Sequence, residues 1–131
     1  GYGIVIMDKS KRTIKMECWP RFADPTDPAA RPYPGWPKTI SQTDNYLRKA
    51  VAFLPTIETD IDNPVIQVAN DKTTNVVYTI RINGRQFSPK VFAEGTYTII
   101  VSEPDKGWTQ SFKNIKATTG ANGTIAVTLI P

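Results

Sequence analysis

Val76-Val77-Tyr78-Thr79-Ile80-Arg81-Ile82 is the stretch whose reading decides the fold. Val76, Tyr78, Ile80 and Ile82 fall on one side of an extended chain, and Val77, Thr79 and Arg81 fall on the other. That period of two marks a strand with one face in a core. The same texture recurs outward from it, in Val65 to Ala69, Thr96 to Ser102, Trp108 to Ala117 and Thr124 to Ile130. The separators Asn70 to Asn75, Asn83-Gly84, Glu94-Gly95, Pro104 to Gly107 and Thr119 to Gly123 are turn chemistry, because Gly, Asn, Asp and Pro bend a chain cheaply. Short strands punctuated this way, with no amphipathic helix between them, predict an all-β fold, an antiparallel β-sandwich and not a βαβ unit.

Before Val65 the pattern is less regular. Tyr2 to Met7 is apolar on both alternating faces. Thr13 to Cys18 places Ile14, Met16 and Cys18 on one side and Thr13, Lys15 and Glu17 on the other, so these two segments predict a hairpin closed by Asp8 to Arg12. A lone hairpin is marginal in water and needs something to pack on. Between Trp19 and Pro37 lie six of the chain's 11 prolines, a spacing that regular elements do not survive. The bulky Trp19, Phe22, Tyr33 and Trp36 in the same stretch are rare in disordered linkers and predict an ordered arm laid across a folded surface. Ser41 to Leu54 reads equally as a helical stripe or as turn and strand; the expectation is a strand from Ala50 to Glu58. The division that follows is 1–46 for hairpin and arm and 47–131 for the sandwich, within the size of one ordinary domain plus an appendage.

Composition narrows the function. The 131 residues are 40% hydrophobic, enough for a real core, and carry 16 basic and 12 acidic side chains, a net charge of +4. The charges are interspersed, and the longest basic group, Lys9, Lys11, Arg12 and Lys15, brackets a turn, so a nucleic-acid partner is not expected. No apolar run is long enough to span a bilayer as a helix. There is no histidine and one cysteine, Cys18, which removes the commonest general base, thiolate metal clusters and internal disulfides. Cys18 reads as a small core hydrophobe. No nucleophile elbow or phosphate-cradling glycine loop is present. Asp60 with Asp62, and Asp24 with Asp27, fall short of a calcium loop. Asn122-Gly123-Thr124 matches a glycan acceptor but is first a tight-turn signal. The expectation is therefore a chain without catalytic residues, cofactor or metal. Two readings remain for Trp19, Arg21, Tyr33 and Trp36: packing anchors at an interdomain contact, or an aromatic platform on which a sugar ring stacks.

Gly1-Tyr2-Gly3-Ile4-Val5-Ile6, followed by Thr13-Ile14-Lys15-Met16-Glu17-Cys18-Trp19-Pro20-Arg21, resembles the end of the catalytic domain in PhoD-like alkaline phosphatases and related metallophosphoesterases. Pro34-Gly35-Trp36-Pro37 and Asp44-Asn45-Tyr46 fit the same tail. Pro64-Val65-Ile66-Gln67-Val68, Val77-Tyr78-Thr79-Ile80-Arg81 and Phe87-Ser88-Pro89-Lys90-Val91-Phe92 resemble the β-sandwich that follows that domain. Glu94-Gly95-Thr96-Tyr97-Thr98 resembles a glycine-led strand found more widely, in transthyretin-like and carboxypeptidase-regulatory-like sandwiches, and the fold class it fits is a transthyretin-like or immunoglobulin-like sandwich. The resemblance implies an upstream metal-dependent phosphoesterase domain in the same parent chain as the partner, and a periplasmic or extracellular location. That domain's metal ligands have no counterpart here, so no catalytic residue carries over. The opening on Gly1, without an initiator Met and inside a strand-like pattern, reads as a piece of a longer protein. Its first strand is expected to present an open edge, through which a second copy could pair.

Overall fold

The computed structural model describes residues 1–42, 46–120 and 122–129. The chain divides into two compact units, Gly1–Tyr46 and Leu47–Pro131. Among the described residues there is no α-helix, and none that could cross a membrane as a helix.

Unit 1 is a three-stranded antiparallel sheet in the order β1-β2-β3, formed by β1 (Tyr2–Asp8), β2 (Thr13–Trp19) and β3 (Lys38–Ser41). The hairpin register runs from Tyr2 opposite Trp19 to Asp8 opposite Thr13. Its loop is shaped by the Asp8 carboxylate, whose Oδ1 accepts from the Ser10 hydroxyl at 2.7 Å and the Lys11 N–H at 3.0 Å. Arg12, at φ 55°, turns the chain back into β2. The third strand is an addition to the expected hairpin: Lys38–Ser41 pairs with Thr13 to Met16 as soon as the prolines stop. Four residues are too few for alternation to announce a strand.

The Pro-rich arm between β2 and β3 is a succession of turns. N–H groups of Ala23, Asp27, Ala30 and Trp36 donate to carbonyls three residues earlier, at 3.0–3.1 Å. Asp24 and Asp27 reinforce two of these turns by accepting from the Thr26 and Ala29 N–H groups through their side chains. The arm is tied to the sheet by the Tyr33 N–H to Cys18 O bond at 2.8 Å and by the Tyr2 hydroxyl donating to Ala23 O at 2.6 Å.

Unit 2 is sandwich-like. Its larger sheet is four-stranded and antiparallel, in the order β11-β10-β6-β7, from β6 (Val65–Asn70), β7 (Val76–Arg81), β10 (Thr96–Glu103) and β11 (Trp108–Lys116). The smaller layer holds β12 (Thr124–Val127), β5 (Thr56–Thr59) and β8 (Gln86–Phe87), with the short pair β4 (Ala52–Phe53) and β9 (Lys90–Val91). Ile66, Val68, Ile80, Tyr97, Ile99 and Val101 from the larger sheet, Ile57, Val91 and Val127 from the smaller strands, and Leu54 from the link between β4 and β5 form one buried cluster. Fully burying such a side chain stabilises by about 1.5–3 kcal/mol, so this cluster is what holds the layers together.

Three details depart from the sequence reading. The expected strand from Ala50 to Glu58 breaks at Leu54-Pro55 into β4 and β5, which join different partners. β12 lies parallel to β5, the one parallel pairing among the described strands, and ends at Val127; Ile130, its expected end, lies outside the described residues. The register between β6 and β7 slips after Val68, so Tyr78 faces Val68 while Val76 faces Ala69. This bulge spends Val77 as an extra residue and turns Val76 out to solvent, although Ile80 and Ile82 stay in the core as the alternation requires.

Candidate functional site

The aromatic set splits on inspection. Trp19 is 7% exposed, and its indole N–H donates to Glu17 Oε2 at 2.8 Å, so it is a packing residue and offers no stacking face. Glu17 also takes Lys15 Nζ on its other oxygen at 2.6 Å, giving a Lys15–Glu17–Trp19 row down one side of β2. The lysine and then the indole hold the Glu17 carboxyl below the usual range. The side of β2 that reads as polar is thus the side carrying the buried tryptophan. Cys18, expected in a core, is only half-buried.

Arg21 is exposed, with its guanidinium carbon 5.3 Å from the centroid of the exposed Phe22 ring. Tyr33 and Trp36 are both exposed and share one turn, closed by the Trp36 N–H to Tyr33 O bond at 3.1 Å with Gly35 at φ 86°. The structure therefore brings Tyr33 and Trp36 together and withholds Trp19. Of the residues that fit the phosphoesterase tail, Asp44 and Asn45 lie outside the described residues.

A surface that the sequence reading did not assemble is the second face of this sheet. Paired residues share a face, and the register Val5 opposite Met16, Met7 opposite Ile14, and Ile14 opposite Ile40 collects five apolar side chains there. Val5 is 60% exposed, Met7 77% and Ile14 42%. β1 is also an edge strand, with no hydrogen-bonded neighbour on its outer side among the described residues. The signal was present in the apolar character of Tyr2 to Met7 on both faces, but only β3 shows that the face continues to Ile40.

The carboxylates are engaged in holding loops. Asp62 pairs with Arg85 at 2.9 Å, which keeps its carboxyl below the usual range. Asp60 Oδ1 accepts the Leu129 N–H at 2.9 Å. The Asn122 side-chain nitrogen, the atom a glycan would use, donates to Phe53 O at 3.0 Å and Lys116 O at 3.1 Å. No group of three or more His, Cys, Asp and Glu side chains suited to a metal ion occurs among the described residues.

No family model matches the chain, and no curated protein or solved structure matches it either.

Proposed function

We propose that this chain is a non-catalytic accessory module of a secreted metallophosphoesterase-like protein, in which unit 1 docks on a phosphoesterase-like domain of the same parent chain. The observation that carries the reading is the open apolar face of Val5, Met7, Ile14, Met16 and Ile40. A three-stranded sheet that leaves such a face in water lacks half of its core, and a contiguous exposed apolar patch marks a contact surface. The resemblance of Gly1 to Arg21 to the end of a phosphoesterase domain names the occupant, and the secreted location follows from that resemblance. The histidine-free inventory is the reason chemistry is assigned to the partner domain. When the companion is absent, the unpaired edge of β1 is where a second copy adds a strand.

The test is metal-dependent phosphomonoesterase and phosphodiesterase activity, measured on the longest natural chain and on residues 1 to 131 across several divalent metals. Activity confined to the longer chain supports the reading. Activity in residues 1 to 131 sinks it, and inactivity in both favours the alternative.

That alternative is a carbohydrate- or surface-binding module, favoured by the exposure of Tyr33 and Trp36 on one constrained turn. Quenching of tryptophan fluorescence by a sugar panel checks it, and an unchanged spectrum with every sugar removes it.

A further inference from the structure

Unit 2 contains a cleft of about 220 Å³, lined among others by Arg48, Asn70, Thr73, Asn75, Phe92 and Tyr97. That is smaller than the roughly 300–1,000 Å³ of pockets for drug-sized ligands and suits a single ring. The cleft lies beside the β6–β7 bulge and the turn at residues 71–75.

Among its polar groups are side-chain N–H donors that no acceptor among the described residues takes up. Arg48 is held with its guanidinium carbon 4.3 Å from the centroid of the Phe92 ring, which fixes the group and leaves its N–H edges unused by any carboxylate or carbonyl among the described residues. Asn70 Oδ1 accepts from the Lys72 N–H at 3.0 Å, the Thr73 N–H at 3.0 Å and the Thr73 hydroxyl at 3.3 Å. Three donors on one atom fix the orientation of the amide and leave its Nδ2 hydrogens for something else. The Asn75 main chain is bonded to Asn70 and Thr73, while its side-chain amide has no partner among the described residues. The walls are apolar, from Val76, Val77 and the buried Tyr97 ring, whose hydroxyl is committed to Ala93 O at 2.8 Å. No lining residue is acidic; the neighbouring Asp71 accepts from the Thr98 hydroxyl on Oδ1 at 2.6 Å, while its Oδ2 is buried without a hydrogen-bond partner among the described residues.

A fixed guanidinium, two amides and an apolar wall complement one kind of molecule. From this we infer that the cleft binds a sugar acid: a carboxylate for Arg48, hydroxyl oxygens for Asn70 and Asn75, and a flat C–H face for the wall. The inference is independent of the surface on unit 1.

The experiment is a ¹⁵N NMR titration of residues 1 to 131 with glucuronate, with glucose and acetate as separate arms. Glucuronate is expected to move the side-chain amide signals of Asn70 and Asn75 and the backbone signal of Thr73. Arg48→Gln should weaken it at least about tenfold, since a hydrogen bond to a charged group contributes about 1.5–3 kcal/mol. Arg48 is exposed, so the rest of its spectrum should overlay that of the parent. Asn75→Ala should weaken glucuronate while sparing acetate. The inference is overturned if these signals stay still, if glucose or acetate binds as tightly as glucuronate, or if Arg48→Gln changes nothing.

Discussion

Arg81 grips Glu103 with both ends of its guanidinium, Nη1 to Oε2 at 3.0 Å and Nη2 to Oε1 at 3.3 Å, while Nη1 also donates to Asn63 O at 2.9 Å. The pair fastens the end of β7 to the end of β10 and to the loop before β6. Its charges are partly shielded, which places it between a surface ion pair and a buried one. Glu103→Gln should therefore cost about 1–2 kcal/mol in urea unfolding.

The same pair sets a pH dependence. The Arg81 hydrogen bonds hold the Glu103 carboxyl below its ordinary value. A lowered folded-state pKa stabilises fully above the unfolded value near about 4.3, and that contribution disappears as pH falls through the folded value. Stability should fall below about pH 4 in the parent protein, and the fall should be shallower in Glu103→Gln when both are followed by circular dichroism.

Tyr97 closes the core above Gly95, which sits at φ 140°. Tyr97→Phe removes only the bond to Ala93 O and should cost about 1 kcal/mol, whereas Tyr97→Ala leaves a cavity and should cost about 3–5 kcal/mol. Gly95→Ala places a Cβ where L residues rarely go and should cost about 1–3 kcal/mol, although nothing lies within 4 Å of it. Equal effects of the two Tyr97 variants would contradict this packing.

Met7→Lys with Ile14→Lys tests the apolar face without touching the core of unit 2. Thermal unfolding should change by no more than about 0.5 kcal/mol per site, the range of ordinary surface substitutions. Self-association of residues 1 to 131 in sedimentation velocity, expected in the parent sequence, should be lost.

Asp8 should titrate at about 2, because the Lys11 N–H and the Ser10 hydroxyl both bond its ionised form. Ser10→Ala removes one donor, and the carboxyl carbon signal should then titrate at higher pH.

How legible the sequence is depends on the length over which a pattern repeats. β6, β10 and β11 are long and bounded by Gly, Asn or Pro, so alternation found them. Val76 was misplaced because a bulge shifts the phase of every residue before it, and a bulge leaves no mark in a period of two. β3 hid behind Pro37 with only four residues. The site was harder: Trp19 shares its side of β2 with Lys15 and Glu17, and an indole bonded to a carboxylate looks, in sequence, like a free aromatic beside charges. The Arg48–Phe92 contact joins residues far apart in the chain and has no sequence signature at all.

The parallel seam between β5 and β12 has a consequence for the protein as it is made. Residues 56–59 leave the ribosome long before their partners at 124–127, and a pairing of such high sequence separation forms slowly in any case. Until then Thr56–Thr59 has at most β8, itself made only at residues 86–87, to pair with. The hazard for this chain during synthesis is therefore one of timing: slower elongation between residues 60 and 123 lengthens the interval in which an unfinished sheet meets its neighbours on the same messenger RNA.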